Sequence, residues 1–332
     1  MSSLIFAVSA VAPIILMVAI GYVLKRIKFM NADFAKAANK LVFRVFLPVM
    51  LFLNVYKIES IGGIDLGYIG YCLSMLLVIF LLAIPAVMLV ARKPQYRGVL
   101  LQGVFRSNYA LIGIPLAQSL FKEEGAMIAT LLSPAIIPAF NVLAVISLSV
   151  FQKSKGEKYS IKRILKDIFL NPLIIAIALG ILALAVRMLF VELGVTFRLT
   201  DITPLYKVLE YLSSMATPLA LLVLGAQFEF SAVKVLRREI LFGTLTRVFF
   251  VPLLGIGVAY LFFSSHFNGA HFAAFVAMFA TPVAVSSVPM AQEMDGDVPL
   301  AGQLVVWTTL ASAVSVFLIA FLLRLSGIFQ GG

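Results

Sequence analysis

The chain has 332 residues, of which 62% are hydrophobic and 12% charged, and its formal net charge is +11. A soluble domain carries roughly twice that charged fraction, and apolar runs of about 20 residues, the length that crosses a bilayer as a helix, recur throughout. Strand-type alternation is missing from these runs, which excludes a membrane β-barrel and predicts an all-α, multi-pass membrane protein.

In chain order, the first run begins at Leu4 with no Lys or Arg before it, and it leads into Lys25, Arg26 and Lys28. A secretory signal would open with positive charge and end at a small-residue cleavage site, so this run is read as a retained span. Nine more give ten spans, at about 4–24, 39–58, 67–91, 98–121, 125–151, 168–190, 204–228, 239–263, 269–293 and 299–324. A basic cytoplasmic linker, 153–167, divides the chain into a first half, 1–152, and a second half, 168–332. Cys72 is the only cysteine, so no intrachain disulfide or thiolate metal cluster can form. His266 and His271 share one short connection with no other metal-ligating chemistry near in sequence, and no metal site is expected there.

Positive charge sets the expected orientation. The connections after spans 1, 3, 5 and 7 carry 17 of the 26 Lys and Arg, against six on the other side (Lys57, Lys122, Arg187, Arg198, Lys207 and Arg324). Odd-numbered connections are therefore expected in the cytoplasm and both termini outside, in the plasma (inner) membrane. The natural partner of the excess charge is anionic lipid rather than nucleic acid.

Three motifs recur in order. "PIILMVAIG" from Pro13 returns as "PLIIAIALG" from Pro172; "LPVMLFL" around Pro48 returns as "TPLALLV" around Pro218; "IPLAQ" around Pro115 returns as "VPMAQ" around Pro289. The separations of 159, 170 and 174 residues rise steadily, as two related halves with small insertions would give. Each half holds five spans, an odd number, so the halves must enter the membrane from opposite sides as inverted repeats, a plan common among secondary transporters. Proline inside a span removes an N–H and clashes with the preceding turn. In hydrocarbon such a break is tolerated only against protein or a water-filled cavity. Span 4, with Gly113 and Pro115, and span 9, with Pro282, Ser286, Ser287 and Pro289, are therefore expected to be broken helices that cross near the membrane centre. Half-helix N-termini there would favour an anion.

"FRSNYALIGIPLA" at 105–117, "PAFNVLAVISL" at 138–148 and "ATPVAVSSVPMAQEMDGD" at 280–297 resemble the signature regions of the auxin efflux carrier family, whose members include plant auxin exporters and bacterial organic-acid carriers. The resemblance covers nearly the whole chain, and the short central linker is that of the compact bacterial type. It implies ten helices in two inverted five-helix repeats with helices 4 and 9 as the crossover pair, similar to bile-acid sodium symporters and sodium–proton antiporters. It also implies that Asn108 and Asn141 help to hold a substrate carboxylate.

On their own chemistry, both amides could instead tie helices together. Arg106 lies nine residues beyond Arg97, about 13 Å deeper along a helix, where a charge marks a functional site unless its side chain snorkels to the interface. Arg44 and Arg247 are expected to snorkel. Glu293 is the one carboxylate adjoining a broken helix; it could take up a coupling proton or cation, or simply end span 9 at the surface. The expected function is secondary transport of a small organic anion, a mono- or dicarboxylate, by alternating access, with no enzymatic activity and no cofactor. H+ or Na+ remains open as coupling ion, and a homodimer remains open as the assembly. The alternatives are a sodium-coupled organic-anion symporter, a channel, or a membrane-embedded enzyme. The last would need a His-rich box, paired carboxylates or a nucleophile with its base, none of which the sequence offers.

Overall fold

The computed structural model describes residues 2–58, 65–151 and 161–329. Most of the basic linker, residues 153–160, lies outside them, as does Gly332. Among the described residues the regular structure is helical, apart from one isolated antiparallel bridge between Ser107 and Val283.

The helices are α1 (Ser2–Arg26), α2 (Ala32–Tyr56), α3 (Leu66–Val90), α4 (Pro94–Phe105), α5 (Tyr109–Val150), α6 (Ile161–Phe169), α7 (Pro172–Glu192), α8 (Thr203–Gln227), α9 (Phe230–Phe263), α10 (Gly269–Ala280), α11 (Ser287–Glu293) and α12 (Val298–Leu325). Seven of them, α2, α3, α5, α7, α8, α9 and α12, are long and apolar enough to cross a bilayer. The chain is a multi-pass membrane protein.

The elements depart from the expected spans in particular ways. Span 2 starts at Ala32 rather than near residue 39, because the Asn31 side chain accepts from the Phe34 N–H and caps the helix there. Spans 4 and 9 are each split, into α4 with the start of α5 and into α10 with α11. Span 5 is the remainder of α5, which bends sharply where Phe121 and Lys122 leave helical dihedrals, Lys122 with φ of 48°. Asn171 caps α7 and Pro172 opens it, so span 6 begins later than expected.

Four wide, π-type turns interrupt the helices, at Val42–Phe46, Tyr109–Gly113, Thr246–Phe250 and Val276–Ala280. Each ends two residues before a proline: Pro48, Pro115, Pro252 and Pro282. A proline ring clashes with the carbonyl four residues earlier and offers no N–H to it. Widening the preceding turn to i→i−5 bonds, such as Ile114 N–H to the Tyr109 carbonyl, relieves that conflict.

Close helix pairs depend on small residues. At the α1–α8 contact, Gly21 lies on the Leu222 carbonyl and Gly225 on the Val18 carbonyl, with no room for a Cβ at either. At the α2–α7 contact, Gly180 lies against Phe52 and Val55. Outside these pairs, α10 packs on α5, which brings the two split spans together, and α9 packs on α12.

Candidate functional site

The two broken spans meet backbone to backbone. Arg106 and Thr281 both adopt extended dihedrals, Ser107 pairs with Val283, and the Asn108 N–H donates to the Pro282 carbonyl at 2.8 Å. A turn further on, Gly113 packs on Ala277, whose carbonyl oxygen would stand 2.8 Å from an added Cβ. The breaks thus fall at 106–108 and 281–286: the second contains Pro282, whereas the first lies upstream of Pro115 and neither is at Pro289. Pro115 is exposed in the first turn of the resumed helix, and Pro289 is buried inside α11. The wide turn in front of Pro115 is the reason: strain at a proline is released upstream of the ring.

Beside the crossing lies a cavity of about 90 Å3. Of the expected site residues, Arg106, Asn108, Asn141 and Ser286 line it; Gly113, Pro115, Ser287, Pro289 and Glu293 do not. Arg106 is 3% exposed. Its Nη2 donates to Asn141 Oδ1 at 2.7 Å and to Ser286 Oγ at 2.8 Å, and its Nη1 faces Met290 Sδ and Gln102 Oε1. All of these acceptors are neutral, so the guanidinium enters no ion pair among the described residues. A buried cation without a counter-charge is costly. Next to it the side-chain amide nitrogen of Asn108 and the hydroxyl of Ser107 have no acceptor or donor among the described residues, nor does the hydroxyl of Ser287. Unsatisfied polar atoms around an unneutralised cation are what a bound anion would complete.

Sequence reasoning overlooked several contributors. Asn54 and Thr217 line the cavity from α2 and α8, and Gln102 reaches the Ser287 carbonyl at 3.3 Å. The signal for Asn54 was a lone polar residue in an apolar run, and that for Thr217 its place at the head of the repeated motif "TPLALLV".

Arg247 overturns its expectation outright. It does not snorkel but is fully buried at the crossing. Its Nε donates to the Thr281 carbonyl at 2.8 Å, its Nη1 to the Val104 and Phe105 carbonyls at 3.2 Å each, and its Nη2 to the Met278 carbonyl at 3.0 Å. Arg44 is exposed and pairs with Glu293 at 3.4 Å, so the Glu293 carboxylate ends α11 in an ion pair away from the cavity.

Asn54, Ala110 and Ile137 also line a second, wider space of about 990 Å3. It lies among the C-terminal ends of α2 and α7, the N-terminal end of α8 and the α5 bend, and its walls carry Lys57, Arg187, Arg198 and Glu123. Arg187 donates to the Tyr56 and Ile58 carbonyls, and Lys57 pairs with Glu210 at 3.0 Å. The small cavity therefore adjoins a broad basic vestibule.

Residues 6–320 match the family model for membrane transport proteins. An uncharacterized transporter of Methanothermobacter thermautotrophicus is 25% identical over 92% of this chain and 95% of its own length. A second uncharacterized transporter, from Methanocaldococcus jannaschii, is 28% identical over 67% of this chain and 68% of its own.

Proposed function

The chain belongs to the auxin efflux carrier family of membrane transport proteins, and from that premise we propose that it moves a small organic anion, a mono- or dicarboxylate, by alternating access. One observation carries the reading: Arg106 is buried beside the crossing and its charge is met only by neutral acceptors. A carboxylate in the adjoining cavity would supply the missing charge through ionic hydrogen bonds. The amide nitrogen of Asn108, which lacks an acceptor, would donate to it.

Alternating access in this build requires two inverted halves, and the contacts are those such a pair would make. Gly21 meets Leu222, and Gly180 meets Phe52; under the motif separations of 159 and 170 these are the same contact seen in each half. Asn108 meets Pro282, its own equivalent under the separation of 174. The wide vestibule ends at residues that the charge bias would put on the outer side, and on that assignment this conformation would be an outward-facing state.

The test is uptake of labelled carboxylates into vesicles containing the purified protein. Saturable uptake with counterflow, inhibited by other small carboxylates and not by organic cations, supports the reading. Flux that neither saturates nor exchanges would make the protein a channel, and chemical conversion of the label would make it an enzyme. Either would overturn the reading.

A further inference from the structure

Arg247 answers a need that the crossing creates. Val104 and Phe105 are the last two residues of α4, Met278 lies in the last turn before the second break, and Thr281 follows it. Both half-helices end at the buried crossing, and both leave terminal carbonyls without intrahelical donors. Their macrodipoles present partial negative charge at the same point. One guanidinium from α9 donates to carbonyls of both ends. Wide-turn residues 246–250 and Pro252 aim it there from the middle of α9.

Converging carbonyls from half-helix C-termini and unwound backbone form the kind of shell in which carriers with broken helices hold a free coupling cation. Here every acceptor of Arg247 is an uncharged backbone oxygen, and the position is already filled by a tethered cation. We propose that Arg247 is a built-in substitute for a coupling cation: it assembles the crossing without an alkali ion, and its removal opens a site for one. The role is positional, since Arg247 is not among the residues lining the cavity. It acts by fixing the ends of α4 and α10 and hence Arg106 and Asn108, which follow directly in the chain. The inference rests on the transporter reading only for its transport consequence, since the cation site itself is independent of the cargo.

The experiment compares the wild-type chain with Arg247→Ala and Arg247→Lys, purified whole in detergent or nanodiscs. Thermal stability is titrated with sodium, lithium, potassium, guanidinium and choline chlorides, and vesicle uptake is measured in the same salts. The wild type is expected to unfold at the same temperature and to transport equally in sodium and choline. Arg247→Ala in choline is expected to lose transport at least about tenfold, the scale of losing charge-assisted hydrogen bonds. Guanidinium or a small alkali ion should then raise both its unfolding temperature and its transport in a saturable way, as a ligand of the folded state does. Arg247→Lys keeps a cation at the crossing and should remain independent of added salt. If Arg247→Ala cannot be purified in choline, its recovery when made and kept in guanidinium is the same test.

Sodium-dependent transport by the wild type would overturn the proposal. So would a monodisperse Arg247→Ala that transports normally in choline, one that no monovalent cation restores, or one recovered in no salt while Arg247→Lys folds. Should no carboxylate be transported by any variant, the anion reading fails, and the cation-specific stabilisation of Arg247→Ala still decides this one.

Discussion

The Asn108 N–H and the Pro282 carbonyl, 2.8 Å apart, join two residues that occupy the same position in the two copies of the proline motif. Under the proposed inverted repeat, a residue that meets its own equivalent would lie next to a local two-fold axis, and the crossing of the broken spans would sit on it. The unpartnered amide nitrogen of Asn108 is thereby held at the centre of the arrangement. Asn108→Ala removes the amide and leaves the backbone bond intact. Substrate affinity should fall about tenfold, the loss of one hydrogen bond to a charged group, while the unfolding temperature holds or rises because an unsatisfied buried donor is gone. Binding measured by thermal shift checks both, and unchanged affinity would take Asn108 out of the site.

Arg106 holds Asn141 and Ser286 with one nitrogen and faces Gln102 and Met290 with the other. A lysine keeps the charge but not the planar fork. Affinity should therefore drop from wild type to Arg106→Lys by about tenfold or more, and again to Arg106→Gln, at roughly 1.5–3 kcal/mol per ionic hydrogen bond. Equal affinity in all three, each monodisperse, would mean that the anion is held by other groups.

Pro115 and Pro289 occupy matching motif positions but different local structures. Pro115 follows the wide turn at Tyr109–Gly113, whereas Pro289 lies within α11 with no such turn before it. Pro115→Ala permits the turn to tighten to ordinary helix, which would rotate Asn108 and Arg106 out of register; Pro289→Ala leaves the break at 281–286 as it is. Transport should fall about tenfold for the first and stay within about threefold for the second, near the effect of a simple helix substitution. Initial uptake rates normalised to protein in the vesicle decide it, and the reverse order would assign the break to Pro289.

The charge bias predicts opposite sides for Lys28 and Lys207, which are both exposed. Cys72 is buried, so an impermeant thiol reagent reports only a thiol introduced at the surface. In intact cells Lys207→Cys and Gly332→Cys should be labelled from outside, and Lys28→Cys only after the membrane is permeabilised. Labelling of Lys28→Cys and Gly332→Cys from the same side would remove the inverted arrangement.

The existence of two broken spans was legible because proline in an apolar run is conspicuous whatever surrounds it. The position of the first break was not, since the wide turn at Tyr109–Gly113 separates it from Pro115 by an amount that local propensity does not specify; the second contains Pro282 itself. The span boundaries near Asn31 and Asn171 shifted for the ordinary reason that side-chain caps move helix starts by several residues. Arg247 was misread for a different cause. Depth along a helix can be counted, but in a run that is apolar on every side no periodicity tells the lipid-facing side from the protein-facing one. Its acceptors are main-chain carbonyls of two other spans, groups that every residue possesses and that no sequence pattern reveals. Arg106 was recognisable from depth alone, and Asn141 and Ser286 became its neighbours only through the crossing.

The step from a vestibule of about 990 Å3 to a chamber of about 90 Å3 has a consequence for hydration. The inner space is roughly a tenth of the outer one, so an ion moving inward exchanges surrounding water for lining groups such as Arg106 and Asn108. The cost of stripping that water grows with the square of the charge, making a dianion about fourfold harder to dehydrate than a monoanion of the same size in a continuum picture. One guanidinium returns the same attraction per unit charge to either. Were the cargo the proposed anion, the constriction would rank acids by how tightly they hold water, with small singly charged carboxylates ahead of sulfate, phosphate and compact dicarboxylates.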